Sequence, residues 1–245
     1  MKTWQKAGIV TLISLAIGGI YLFVVFQQRK NPGVIGENAQ QHRENPDDLA
    51  VVRAKFPTSF DDVLKLENTS VWMKNGYTMA YFPYDSGHIV FTKPAGVIPT
   101  AQRLDIKKVI KASPPASVDD GISHGSRQAF AVFALPGDTR LYATAIGVID
   151  NSQAGGAQEQ YYSDVLFYYD DPHTIYGNWP KDVWAAIDAH QVRPGMSELQ
   201  TRMAIGQKTQ SDDSTEGNRT VTYDQAGKQW VVTFVNNHAT TIKAP

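Results

Sequence analysis

The longest apolar run in the chain covers residues 7–26, about twenty positions without a charge. That is the length needed to cross the ~30 Å hydrocarbon layer of a bilayer as a helix. Lys2 and Lys6 precede the run, Arg29 and Lys30 follow it, and Trp4 and Tyr21 fall near its two ends, where interfacial aromatic residues are expected. A cleaved signal peptide has a shorter apolar core and a small-x-small cleavage site. Here the run continues into Phe26-Gln27-Gln28-Arg29-Lys30, so the pattern predicts a retained anchor over residues 1–30. Flanking positive charge is nearly balanced, but a very short N-terminal tail stays in the cytoplasm, which places the remainder of the chain outside. Ser14, Gly18 and Gly19 give the predicted helix a small-residue side on which another membrane helix can approach.

After the anchor the pattern loses its period. Residues 31–67 read as a linker holding one short helix. The stretch 31–48 is rich in Asn, Gln, Pro, Gly and charge and spans roughly 30–50 Å when extended. Ser59 or Asp61 is placed to cap a helix through Asp62-Val63-Leu64-Lys65-Leu66.

Residues 68–177 switch to period two. Short β-prone runs at 71–73, 77–82 and 88–92 are separated by Asn75-Gly76, Pro83 and Asp85-Ser86-Gly87. The stretch 103–111 alternates only in part and is read as strand or short helix. Runs at 127–135 and 139–149 flank Pro136-Gly137-Asp138, a hairpin signal, and 161–169 is one further strongly β-prone run. Closely spaced short strands predict a mostly β SH3-like barrel or sandwich.

Residues 178–245 predict two helices and a three-stranded meander. The first helix starts near Pro180, with Asn178 or Trp179 as its cap, and Pro194-Gly195 breaks the chain after it. Ser197-Glu198-Leu199-Gln200 is a capping box for the second helix, with Gly206 as its stop. Strands follow at 219–223, 229–235 and 239–243. The expected class is therefore α+β: one transmembrane helix, a linker, a β-rich barrel or sandwich, and a small αα-βββ module.

That order carries a resemblance. Val192-Arg193-Pro194-Gly195-Met196-Ser197, a ten-residue helix ending at Gly206, the Tyr223 strand and Trp230-Val231-Val232-Thr233-Phe234-Val235-Asn236-Asn237 together resemble the SmpA/OmlA (BamE-like) family over residues 180–243. Gly195, Met196, Ser197 and Gly206 carry the frame. The chain departs from the family pattern in having Gln207-Lys208-Thr209 where a Pro is usual, and in lacking the lipoprotein cysteine. The resemblance implies a periplasmic, non-catalytic module that works by contacting other proteins.

Composition narrows the chemistry. Among 245 residues there is no cysteine, which removes disulfides, thiolate metal sites and a cysteine nucleophile. A net charge of −1 gives no field to draw the whole chain to nucleic acid. The histidines, at positions 42, 88, 124, 173, 190 and 238, show no metal-ligand spacing. Asp170-Asp171-Pro172-His173, with Asp164 nearby, reads either as a carboxylate/imidazole site or as a turn, and the turn is favoured. Ser123-His124-Gly125-Ser126 pairs a hydroxyl with an imidazole, but neighbours in sequence seldom face each other and no carboxylate orients the ring. No cofactor-binding signature is present.

Tyr161, Tyr162, Tyr168, Tyr169, Tyr176 and Trp179 form the richest aromatic stretch. They are candidates for a partner-contacting patch, with Ser14, Gly18 and Gly19 as candidates in the membrane. The sequence thus predicts a single-pass inner-membrane protein with its bulk in the periplasm. Its predicted role is that of a non-catalytic accessory or scaffold subunit of a larger membrane complex, held to the bilayer through residues 7–26. A cell-wall or glycan-binding module is the alternative, and an acid–base or metal-dependent enzyme a lesser one.

Overall fold

Sheet-forming alternation governs the chain from Ser70 onward. In a computed structural model, residues 50–122, 125–149, 159–212 and 215–245 are described, together with Asp47. The apolar run 7–26, with Ser14, Gly18 and Gly19, lies outside the described residues, as does the linker up to residue 49 apart from Asp47.

The first helix, α1 (Phe60–Leu64), forms because Ser59 accepts the Asp62 N–H while the Asp62 carboxylate accepts back from the Ser59 N–H. Strands β1 (Ser70–Met73), β2 (Ala80–Asp85), β3 (His88–Ile89) and β4 (Gly96–Val97) follow. Next come β5 (Arg103–Ala112), β6 (Gln128–Ala134), β7 (Leu141–Val148), β8 (Gln160–Tyr161) and, after a helical turn, β9 (Phe167–Tyr168). They make one nine-stranded antiparallel sheet in the order β3-β2-β7-β6-β5-β1-β9, with β4 added to β2 and β8 to β7.

β5 explains an ambiguity of the sequence. Its ladder with β6 slips between Ile106 and Lys108, and this irregularity shifts the alternation by one residue. Leu104, Ile106 and Val109 are therefore all buried although their spacing is not strictly two. The central strands β6 and β7 are buried on both faces, and Phe130, Phe133, Ile146 and Ala143 have no exposed surface. Each large apolar side chain removed from water this way contributes about 1.5–3 kcal/mol before entropy is counted.

Two helical turns, α2 (Ser163–Leu166) and α3 (Pro172–Ile175), lie on either side of β9. α4 (Lys181–Asp188) and α5 (Glu198–Ile205) then lead into the second sheet, β10 (Gln207–Ser211), β11 (Thr220–Gln225), β12 (Lys228–Val235) and β13 (His238–Lys243), antiparallel and in chain order. α5 has the expected capping box between Ser197 and Gln200. It stops at Gly206, whose φ of 98° suits a residue without Cβ. α4 is not capped by Asn178 or Trp179: its first flanking residue is Pro180, with no side-chain cap bond.

The α+β expectation is corrected. Ala50–Pro245 forms one compact unit that is mostly β, two antiparallel sheets of nine and four strands with five short helices. The nine-stranded sheet is an open path ending at β3 and β9, not a closed SH3-like barrel. The C-terminal helices are followed by four strands, not three. The extra strand, β10, is Gln-Lys-Thr-Gln-Ser with four exposed positions, so it has no apolar face to announce it and exists through its ladder with β11. The run 161–169 is not one strand, since α2 interrupts it. Among the described residues no helix is long and apolar enough to cross a membrane.

Each sheet has its own core. Leu104, Ile106, Phe130 and Phe133 centre the first. In the second, Tyr223, Val232 and Phe234 pack against Met203, Ile205, Ile187 and the Tyr168-Tyr176-Trp179 group.

Candidate partner-binding site

The tyrosines of 161–169 separate by burial. Tyr168, Tyr176 and Trp179 retain only 3–6% of their surface and belong to the second core. The Tyr176 ring stacks on Trp179 at 4.4 Å and stands edge-on to Tyr168 at 6.4 Å. These three are therefore core residues and not the exposed patch the sequence suggested, and the Tyr168 hydroxyl donates to Asn75 Oδ1 at 3.0 Å. Tyr161, Tyr162 and Tyr169 are half-buried against the first core. Tyr161 donates to Glu159 at 2.9 Å and Tyr169 to Asp164 at 2.6 Å. Burial, then the Asp164 hydrogen bond, pushes the Tyr169 hydroxyl upward from its ordinary value.

Asp164 is a hub the sequence did not reveal. Its carboxylate accepts the Lys55 N–H at 3.0 Å and the Phe56 N–H at 2.7 Å, which fastens the extended strap of residues 50–57 to α2. Burial disfavours its charge. The Tyr169 hydroxyl and the two strap amides outweigh this and hold the carboxyl below the usual range. The Lys74 ammonium donates to the Asp164 carbonyl, Lys55 Nζ lies 4.6 Å from the Tyr169 ring centre, and Arg53 pairs with Asp170 at 2.9 Å. Phe56 emerges with φ of 50° and 80% of its surface in water. A bulky side chain in the left-handed region costs about 1–3 kcal/mol, so the clamp holds a strained residue.

The Asp170-Asp171-Pro172-His173 cluster forms the N-terminus of α3, where Asp171 accepts the His173 N–H. This is the turn reading. The structure adds a second carboxylate from α4. His173 Nδ1 lies 2.8 Å from Asp171 and Nε2 lies 3.4 Å from Asp188, while the ring stacks on Trp184 at 4.0 Å. Nδ1 shares a hydrogen bond with Asp171 and Nε2 lies within ion-pair distance of Asp188, so the ring is held between two carboxylates. No group of three metal-ligating side chains occurs among the described residues. Ser123 and His124 lie outside the described residues.

A cleft of about 310 Å³ lies where the two sheets meet. Ile98, Pro99 and Thr100 wall it on one side, and Ile205, Gly206 and Ala226 on the other. Thr78 donates to Gln207 Oε1 at 3.0 Å and Thr100 to the Met203 carbonyl at 2.7 Å, so two hydrogen bonds join its walls. Gly206 is required here twice over. Its φ is left-handed, and a Cβ would come within 3.2 Å of the Asp224 carbonyl. Tyr77 and Val97, 43% and 38% exposed, form an apolar rim, and His190, Asp224 and Lys228 add polar groups of both signs. Polar side chains (Thr78, Thr100, His190, Gln207, Asp224, Gln225, Lys228) share the lining about equally with apolar ones, so the cleft offers hydrogen-bonding groups as well as apolar contact. Nothing in the sequence announces it, because its two walls, residues 77–100 and 190–228, come from loops and strand ends far apart in the chain.

No protein-family model matches the chain, and neither the curated proteins nor the solved structures contain a match to it.

Proposed function

We propose that the chain is a membrane-anchored, periplasm-facing accessory subunit that holds a larger membrane protein complex together without catalysing a reaction. The observation that carries this reading is the cleft between the sheets. Hydrogen bonds join its two walls, exposed Tyr77 and Val97 border it, and its lining offers both apolar and polar groups to a partner polypeptide. The apolar run 7–26 supplies attachment, and confinement to the plane of a membrane raises the effective concentration of so small a site. The helix–helix–meander resemblance at residues 180–243 points the same way.

The test is purification of the full chain in mild detergent, followed by mass spectrometry of what accompanies it. Wild type is expected to retain one or more integral membrane proteins. Val97→Lys and Tyr77→Ala are expected to lose them while still folding, whereas His173→Ala retains them. A chain that purifies alone, or a Val97→Lys variant with its partners intact, overturns the cleft as the site.

A further inference from the structure

Resting on the anchored reading above, we propose that the clamped strap is a second membrane contact: Phe56 inserts its ring into the interfacial layer of the lipid bilayer and so fixes the tilt of the soluble body.

Phe56 is the most exposed large aromatic side chain among the described residues, and Val51 and Val165 beside the same strap and clamp are 88% and 40% exposed. An apolar side chain free to turn inward would do so. Phe56 is prevented, because Asp164 grips the amides of both Lys55 and Phe56 and locks the backbone at positive φ. The ring therefore stands out on a fixed arm and is not a flexible tail. With 80% of its surface exposed it projects from the body, which suits a soft layer into which a ring can sink.

Its neighbours have the chemistry of an interfacial segment. Arg53 and Lys55 flank the apolar positions, and long cationic side chains reach headgroups while their stems cover apolar surface. The strap's place in the chain selects the occupant. It is the first stretch of Ala50–Pro245 and lies in the C-terminal half of the predicted linker 31–67, so along the chain it is the part of the body nearest the predicted span 7–26. One phenylalanine and two valines bind a bilayer weakly by themselves. Tethering makes the contact intramolecular, and a weak contact then suffices. Asp61 and Asp62 stand near the strap, so insertion should depend on apolar contact more than on anionic lipid.

The absence of cysteine permits a direct test. Full-length Phe56→Cys and Val165→Cys are each labelled with an environment-sensitive fluorophore and reconstituted into phosphatidylcholine vesicles. Val235→Cys, at an exposed position on the second sheet, serves as reference. Flotation reports anchoring, and lipid-borne nitroxides report contact. Vesicles that float with the labels at 56 and 165 blue-shifted and quenched, and the label at 235 neither, support the inference. Flotation with all three labels equally aqueous overturns it and leaves the anchor standing. Failure to float overturns the anchored reading and the inference with it. Quenching that appears only when a co-purified membrane protein is present assigns the strap to a protein and also overturns it.

Discussion

The backbone N–H of Phe56 donates to the carboxylate of Asp164 at 2.7 Å, across 108 residues of sequence, while the Phe56 ring stays in water. A short polar contact thus positions an apolar group that gains nothing from packing. Asp164 also fastens the Tyr169 hydroxyl, so one carboxylate joins the strap, α2 and the residue following β9. Its removal should be felt in order before it is felt in fold.

Asp164→Asn keeps the volume but removes the charge and one accepting oxygen. The expected loss of stability is about 1–3 kcal/mol, as for other charge-assisted hydrogen bonds. The sign with pH is fixed by the depressed carboxyl. The contribution is complete above the unfolded value of about 3.9 and is lost as pH falls through the lower folded value. The difference in urea midpoint between wild type and variant should therefore stay constant from neutral pH down to about pH 5 and shrink below pH 4. Hydrogen exchange should show the Lys55 and Phe56 amides opening first. A difference that grows on acidification would contradict the clamp.

Glu198 and Arg219 form the most deeply buried ion pair described, with side chains 1% and 6% exposed. Glu198 also accepts the Gly217 N–H at 2.9 Å, so the pair ties the start of α5 to the approach to β11. Glu198→Ala strands the guanidinium in the core and should cost about 3–5 kcal/mol. The double variant Glu198→Leu with Arg219→Met should recover a large part of that loss, because no charge is left unpaired. Chemical denaturation of wild type, Glu198→Leu, Arg219→Met and the double variant closes the cycle. A double variant as unstable as the sum of the singles would show that the pair's geometry, and not its charge balance, matters most.

The legible parts of the fold were those written in neighbouring residues. The Ser197–Gln200 capping box, the Gly206 stop and the Pro136-Gly137-Asp138 hairpin all act within a few positions, and each appears where its chemistry placed it. The strands of the C-terminal meander carry strong β-branched and aromatic runs and were equally plain. What was hidden depends on distance in sequence. β10 is polar throughout and is a strand only because β11 offers a ladder. The run 161–169 is rich in tyrosine and apolar residues, but Ser163 and Asp164 are poor strand formers and α2 turns through them, with the Asp164 carboxylate engaged by a strap more than 100 residues earlier. The cleft and the strap, the two surfaces argued to matter, are both of this second kind. Tyr168, Tyr176 and Trp179 are buried and not an exposed patch because helices and strands that follow them in the chain pack over the rings, which local alternation does not show.

Two buried tyrosines should respond oppositely to loss of their hydroxyls. Tyr168 donates to Asn75, and Tyr168→Phe should cost about 1 kcal/mol. Tyr223 is fully buried, and its hydroxyl finds no hydrogen-bond partner among the described residues. Burial leads the upward displacement of its titration, with the Glu198 charge adding to it. Tyr223→Phe should therefore be neutral or stabilising by up to about 1 kcal/mol. Thermal unfolding of both variants in one buffer gives the comparison. A clear loss for Tyr223→Phe would mean its hydroxyl is satisfied after all.

Gly147 is the position where a single methyl group should do most harm relative to its size. β8 crosses so closely that a Cβ would lie 2.6 Å from Tyr161 Cδ1 and 2.7 Å from the Gln160 carbonyl. The second of these is backbone and cannot swing aside, so Gly147→Ala must push β8 away from β7. β8 holds only two ladder positions, Gly147 with Tyr161 and Val148 with Gln160, and has little to resist with. The displacement would carry Glu159 with it, and Glu159 accepts both the Tyr161 hydroxyl and the Phe60 N–H at the start of α1. Overpacking of this kind costs about 1–3 kcal/mol. Because the contacts at risk belong to one corner, hydrogen exchange should rise at Phe60 and at Tyr162, whose N–H donates to the Ile146 carbonyl, before it rises in β6. Exchange unchanged at those two amides, with Gly147→Ala as stable as wild type, would show that β8 does not pack on β7 at this distance.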